Sequence, residues 1–226
     1  MRSGLNFRGF FQYGVWRAAG KAALAAILWL GLAVAAAAEK VHLIAFGDSL
    51  TAGLGLDQGE AYPAQLEKAL KDKGYDVTIA NAGVSGDTAS AAAQRVDWSV
   101  PEGTDGVIIA LGGNDLLRGI DPAITGKAMS EIVTRLETRG IPVLLAGMRA
   151  PANLGSDYAE RFDAIFPGLA GGHDLVFMPF FLDGVATDPA LNQPDGIHPN
   201  PEGVAVIVDN IFPYAVELIE RAENSG

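Results

Sequence analysis

The 226 residues contain no cysteine. That absence excludes a disulfide framework, thiolate zinc sites and a cysteine nucleophile together. Histidine is nearly as scarce. His42, His173 and His198 are the only three, too few to converge on a metal, so neither a metal nor a cofactor is expected. Positive charge is thin as well, at 16 Lys and Arg against 27 Asp and Glu. Four of those cations, Arg2, Arg8, Arg17 and Lys21, sit in the first 38 residues, which hold no acid. Beyond residue 38 the remaining 12 cations face all 27 acids, a formal charge of −15. A surface that acidic repels phosphate backbones and anionic headgroups, so nucleic acid is not expected as a partner. Trp98 is the only tryptophan past the leader, which leaves little for stacking on sugar rings.

The chain does have an unusual beginning. After the four cations comes the apolar run Ala22 to Val34 and then Ala35-Ala36-Ala37-Ala38. A charged region, an apolar region and small residues at a cleavage site make a signal peptide over residues 1–38, cut before Glu39, the expectation, with an uncleaved membrane anchor as the alternative. The apolar run is short for the roughly 20 residues that a membrane span needs. With no cysteine to carry a lipid, a soluble product in the periplasm or the medium is expected, without stable membrane insertion. Residues 39–226 then read as one domain. Hydrophobic residues make up 49% of the sequence, with 28 Gly and 12 Pro. This composition supports a large core with many tight turns.

Along that domain, apolar runs at Val41–Phe46, Tyr75–Ala80, Gly106–Leu111, Ile141–Ala146 and Asp174–Met178 read as buried strands. Helical spacing appears at Glu60–Lys73, Thr88–Val96, Pro122–Arg139, Ser156–Phe166 and Pro201–Arg221. Strand and helix alternate about five times. This predicts an α/β fold: a three-layer α/β/α arrangement around a five-stranded parallel sheet, flavodoxin-like in size.

In such a sheet, loops that follow the strands emerge at one edge. Three of them are Gly47-Asp48-Ser49, Ser85-Gly86-Asp87 and Gly113-Asn114-Asp115, and Asp195-Gly196-Ile197-His198-Pro199 precedes the last helix. Ser49 needs a base, and His198 can take its proton and return it to a leaving group. A spacing of three lets Asp195 hold the imidazole. The N–H groups of Ser49 and Gly86 and the Asn114 amide are candidate donors to an oxyanion. Asp48 is expected to brace the Ser49 turn. His42 lies at the wrong end of its strand, His173 is expected to be solvated, and Ser85 has no histidine in matching order. There is no Gly-x-Ser-x-Gly around Ser49, so the α/β-hydrolase elbow does not apply. Singly, each motif is commoner as a turn or a surface pair; together, in sheet order, they point to a serine hydrolase.

These four blocks, in this order, resemble the SGNH hydrolase (GDSL esterase/lipase) superfamily. The chain is most similar to its bacterial periplasmic branch of acyl-CoA thioesterase I, lysophospholipase L1 and arylesterases, which it also resembles at Asn81–Thr88, Arg149–Asn153 and Pro179–Phe181. The likeness runs over nearly all of residues 40–220. It implies Ser49 as nucleophile, Asp195 and His198 as acid and base, and Ser49, Gly86 and Asn114 as oxyanion donors. Gly83 shares the second block, but the Ser-Gly-Asp-Thr alignment selects Gly86. By position and by resemblance, Leu116, Leu117, Ala150, Pro151 and Phe180, with Met148 and Phe181, are expected to contact an acyl chain. Arg118 and Arg149 could meet an anionic leaving group, though surface salt bridges are the plainer expectation for both. The implied activity is hydrolysis of carboxylic esters and thioesters (aryl esters, acyl-CoA, lysophospholipid-type substrates) by a monomer. Carbohydrate O-deacetylation and a non-catalytic periplasmic binding role are the alternatives.

Overall fold

The structure is a computed structural model and describes residues 40–225. The signal peptide read at 1–38 lies outside the described residues. Five strands, β1 (Val41–Gly47), β2 (Val77–Gly83), β3 (Gly106–Ala110), β4 (Val143–Ala146) and β5 (Val176–Met178), form one sheet in the order β2-β1-β3-β4-β5. Every pairing is parallel. The central strands are apolar throughout because both faces are covered: all of β3 and β4 is buried.

The helices follow from caps and apolar stripes. They are α1 (Ser49–Ala52), α2 (Tyr62–Asp72), α3 (Ala89–Ala93), α4 (Val96–Ser99), α5 (Gly113–Leu117), α6 (Pro122–Thr138), α7 (Ser156–Asp163), α8 (Ile165–Gly172) and α9 (Pro201–Glu223). The carboxylate of Asp121 accepts from Ala123 N–H, and Pro122 starts α6 where its missing N–H costs nothing. Asn200 does the same for α9 through Gly203 N–H, with Pro201 at the first position. On α9, Val204, Ile207, Val208, Ile211, Ala215 and Leu218 are buried, and the helix packs against α2 and the sheet. α3, α6, α7 and α8 pack together in the other layer.

Several elements differ from the sequence reading: β4 and β5 begin two residues later, and the short helices α1 and α4 have no counterpart in it. β2 begins later and continues through Asn81-Ala82-Gly83, because β1 runs to Gly47 and the parallel register pairs Gly47 with Gly83. The helix expected over Thr88–Val96 breaks at Arg95, whose side chain turns inward. The short helix α5 at Gly113–Leu117 follows β3 where no helical spacing was expected. The single helix expected over Ser156–Phe166 is two helices meeting at Ala164, and the second extends to Gly172.

The end of β2 lies directly against the first turn after β1. A Cβ on Gly83 would sit 2.3 Å from Ala52 N and 2.8 Å from Asp48 O. Both are backbone atoms, so the clash is relieved only by moving the backbone. Gly83→Ala is therefore expected to lower stability by about 1–3 kcal/mol, read as a fall in the urea midpoint, and to displace α1.

Candidate active site

The chain changes winding direction at β1: β2 lies on one side of it and β3 on the other. Crevices at such a switch point hold ligands in open α/β sheets. Ser49 follows β1 and Asn114 follows β3, so the two stand on either side of that crevice. Asp48 caps α1, its Oδ1 accepting from Leu50 N–H at 3.0 Å. This fixes Ser49 as the first residue of α1, 8% exposed.

Ser49 Oγ lies 2.9 Å from His198 Nε2, and His198 Nδ1 lies 2.7 Å from Asp195 Oδ2. With the Nδ1 proton donated to Asp195, Nε2 is the acceptor for the serine hydroxyl. Asp195 Oδ1 accepts from the N–H groups of Ile197 and His198. The bond from the imidazole, then these backbone bonds, bring the Asp195 carboxyl down to about 2. The loop is closed by a bridge between Asn192 and Pro199. Gln193 Nε2 donates to Leu54 O and Pro199 O, tying the histidine loop to the loop after α1. Nothing in the sequence pattern singled out Gln193.

The three candidate oxyanion donors follow β1, β2 and β3 at the carboxyl edge of the sheet. Among the described residues no acceptor takes the N–H of Ser49 or of Gly86, whereas Gly83 N–H donates to Asn81 Oδ1 at 2.9 Å. The amide of Asn114 donates one hydrogen to Asp48 Oδ2 at 3.2 Å, which leaves its second hydrogen for a ligand. Asp48 thus orients Asn114 as well as capping α1, more than the bracing expected of it.

Two buried groups hold this edge together. Arg95 donates from Nη2 to Gly47 O, from Nη1 to Ala82 O and Ser99 Oγ, and from Nε to Asp87. Its guanidinium also lies 4.3 Å from the Phe46 ring centroid. One side chain therefore fixes the end of β1, the end of β2 and the loop of Gly86. Asp115, fully buried, accepts from Ala89 N–H and from Thr125 Oγ1, anchoring α5 to α3 and α6.

Asp48 is 1% exposed. Burial pushes its carboxyl up to about 6, against the pull of the Leu50 and Asn114 bonds. A group whose folded value is raised stabilises fully below its unfolded value, near 3.8, and loses that contribution as pH rises through about 6. Relative to Asp48→Asn, unfolding free energy is expected to fall by roughly 3 kcal/mol over that window and stay flat above pH 7. Paired urea titrations across the range check it.

The expected acyl contacts are placed as follows. Leu116 and Ala150 are half-buried against the core, Leu117 is 64% exposed, Pro151 is exposed, and Phe180 is half-buried. A small hollow beside Ser49 and His198 is lined instead by Leu50, Leu54, Leu56, Tyr62, Val204 and Ile207. Its signal in the sequence was the apolar stripe shared by α2 and α9. Arg118 and Arg149 form no salt bridge among the described residues, contrary to expectation. Arg118 donates to Gly86 O at 2.6 Å, and Arg149 lies 5.3 Å from the Phe180 ring centroid. His173 is bonded to Glu137 at 2.7 Å rather than simply solvated. His42 pairs with Thr78 at the far end of β1, and Ser85 is exposed. Among the described residues no cluster of three or more acids and histidines could hold a metal.

Residues 45–206, the span from the end of β1 into α9, match the GDSL-like Lipase/Acylhydrolase family. The chain belongs to this family. As a GDSL-like acylhydrolase it has relatives of similar length. Esterase TesA of Pseudomonas aeruginosa is 36% identical over 178 residues, 78% of this chain and 89% of that protein. Thioesterase 1/protease 1/lysophospholipase L1 of Escherichia coli K12 is 36% identical over 183 residues, 80% of this chain and 86% of that one. The crystal structure of AlinE4, an SGNH-hydrolase family esterase, is 47% identical with a TM-score of 0.68, over 79% of this chain and 96% of that one. The fold is that of the SGNH hydrolases, and the GDSL-like chain is an enzyme that cleaves acyl esters and thioesters.

Proposed function

We propose that hydrolysis runs through an acyl-enzyme on Ser49, and the observation that carries this reading is the continuous Ser49–His198–Asp195 hydrogen-bond relay. Ser49 Oγ attacks the carbonyl carbon as its proton passes to His198 Nε2. The oxyanion takes hydrogen bonds from Ser49 N–H, Gly86 N–H and the Asn114 amide. Collapse expels the alcohol or thiol, which leaves with the proton from Nε2. Water then repeats the sequence, and the acid is released. Asp195 holds the imidazole and stabilises its charged form.

The name of the Escherichia coli relative supports thioesters and lysophospholipid-type esters as substrates, aryl esters and acyl-CoA are proposed beside them, and Leu116, Leu117, Ala150, Pro151 and Phe180 lie along the acyl chain. The enzyme acts as a monomer. Residues 1–38 direct its export to the periplasm or the medium and are removed before Glu39. Among the described residues no helix is long and apolar enough to cross a membrane. A fluorophosphonate probe is expected to label Ser49, and p-nitrophenyl butyrate to turn over far faster than acetylated xylan. Labelling elsewhere, or the reverse preference, would overturn the assignment. Sequencing the N-terminus of the exported form tests the leader.

A further inference from the structure

Exposed large hydrophobic side chains are unremarkable when scattered, and informative when gathered. Seven are exposed among the described residues, and five of them, Leu54, Val84, Leu117, Leu154 and Ile197, stand on the connections that leave the carboxyl edge of the sheet, Leu117 at the end of α5. The other two, Trp98 and Ile124, are carried by α4 and α6. The five track the proposed site. Leu54 lines the hollow beside Ser49, Val84 is two residues before Gly86, Leu117 three after Asn114, and Ile197 adjoins His198. Leu154 is on the loop after β4.

Two arginines at the same edge are held without a carboxylate partner among the described residues. Arg95, Arg135, Arg161 and Arg221 each pair with a carboxylate. Arg118, beside Leu117, is fixed by the Gly86 carbonyl, and Arg149, on the loop of Leu154, by the Phe180 ring. The third arginine without a carboxylate, Arg139, donates to two carbonyls at the opposite edge.

We propose that this edge is a docking surface for zwitterionic phospholipid aggregates, the apolar ring entering the acyl boundary and Arg118 and Arg149 meeting lipid phosphates. Five exposed apolar side chains, one on each connection at that edge, are more than one small ester requires. A formal charge of −15 beyond the leader repels anionic lipid, whereas a zwitterionic headgroup offers phosphate to the arginines without net repulsion. Docking on this face presents ester bonds to Ser49. The inference rests on the ring and the arginines, and it stands whether or not the catalytic assignment does.

The test uses the exported chain carrying Ser49→Ala, so that lipid is not consumed, in co-sedimentation with phosphatidylcholine vesicles. Binding is expected, weaker with phosphatidylglycerol vesicles, and reduced at least tenfold by Val84→Ser with Leu154→Ser. In a chain with Ser49 intact, that pair is expected to leave turnover of p-nitrophenyl butyrate, a substrate free in solution, within twofold. Arg149→Gln is expected to weaken binding to phosphatidylcholine but not to uncharged alkyl-glucoside micelles. Failure to bind phosphatidylcholine at millimolar lipid overturns the proposal, as does stronger binding to phosphatidylglycerol or equal binding by the double variant. Loss of p-nitrophenyl butyrate turnover in the double variant would assign the ring to the substrate site instead. A concentration-dependent dimer that the double variant abolishes would assign it to self-association, which also overturns it.

Discussion

Ser49→Ala is expected to lower kcat on p-nitrophenyl butyrate by about 10⁴–10⁶-fold, with only the oxyanion donors and binding left to act. The hydroxyl removed has one side-chain partner, His198 Nε2. The cap of α1 belongs to Asp48, so the helix keeps its start and the urea midpoint is expected to move little. KM should also hold, since the lost interaction is made chiefly in the transition state. The measurement is kcat and KM by initial rates, with fluorophosphonate labelling of the same preparation. Residual activity above a few per cent, or undiminished labelling, would place the nucleophile elsewhere. The exposed Ser85 of the neighbouring loop is the residue to examine in that event. It has no imidazole in line, which is why the burden falls on Ser49.

The parts of this protein legible in its sequence were those set by local chemistry. The strand cores are continuous apolar runs, and Pro122 and Pro201 mark helix starts with Asp121 and Asn200 as caps. The order of the four polar blocks, combined with the parallel sheet, was enough to bring Ser49 to His198 across 149 residues. What the sequence concealed was set by partners far along the chain. Asn81-Ala82-Gly83 has the composition of a loop, yet pairing with β1 makes it strand. Arg95 is a good helix former, but the helix breaks there because its guanidinium finds Asp87, Gly47 O and Ala82 O. Such a bond set has no periodicity to read. Arg118 and Arg149 were expected to seek carboxylates, and the fold offered a carbonyl and an aromatic face instead. The hollow beside Ser49 escaped notice for the opposite reason: its leucines, valine and isoleucine look like ordinary core.

Asp195→Asn is expected to reduce kcat by about 10⁴-fold with the fold retained. The carboxylate accepts three hydrogen bonds: His198 Nδ1–H on Oδ2, and the Ile197 and His198 N–H groups on Oδ1. An amide has one oxygen. If that oxygen keeps the two backbone donors, the NH₂ group faces Nδ1 and donates to it. The proton then resides on Nε2, which can no longer accept from Ser49. The substitution therefore acts on the tautomer rather than on packing, at a side chain 45% exposed. In the native enzyme the carboxyl, lowered to about 2, remains ionised throughout the working range. Its contribution to stability is present above the unfolded value and is lost only as pH falls through about 2, so the acid limb of the rate profile does not belong to it. Because the three groups act as one unit, the double variant Ser49→Ala/Asp195→Asn should be no slower than Ser49→Ala alone. If the two losses multiplied, Asp195 would be working on something other than the His198 proton.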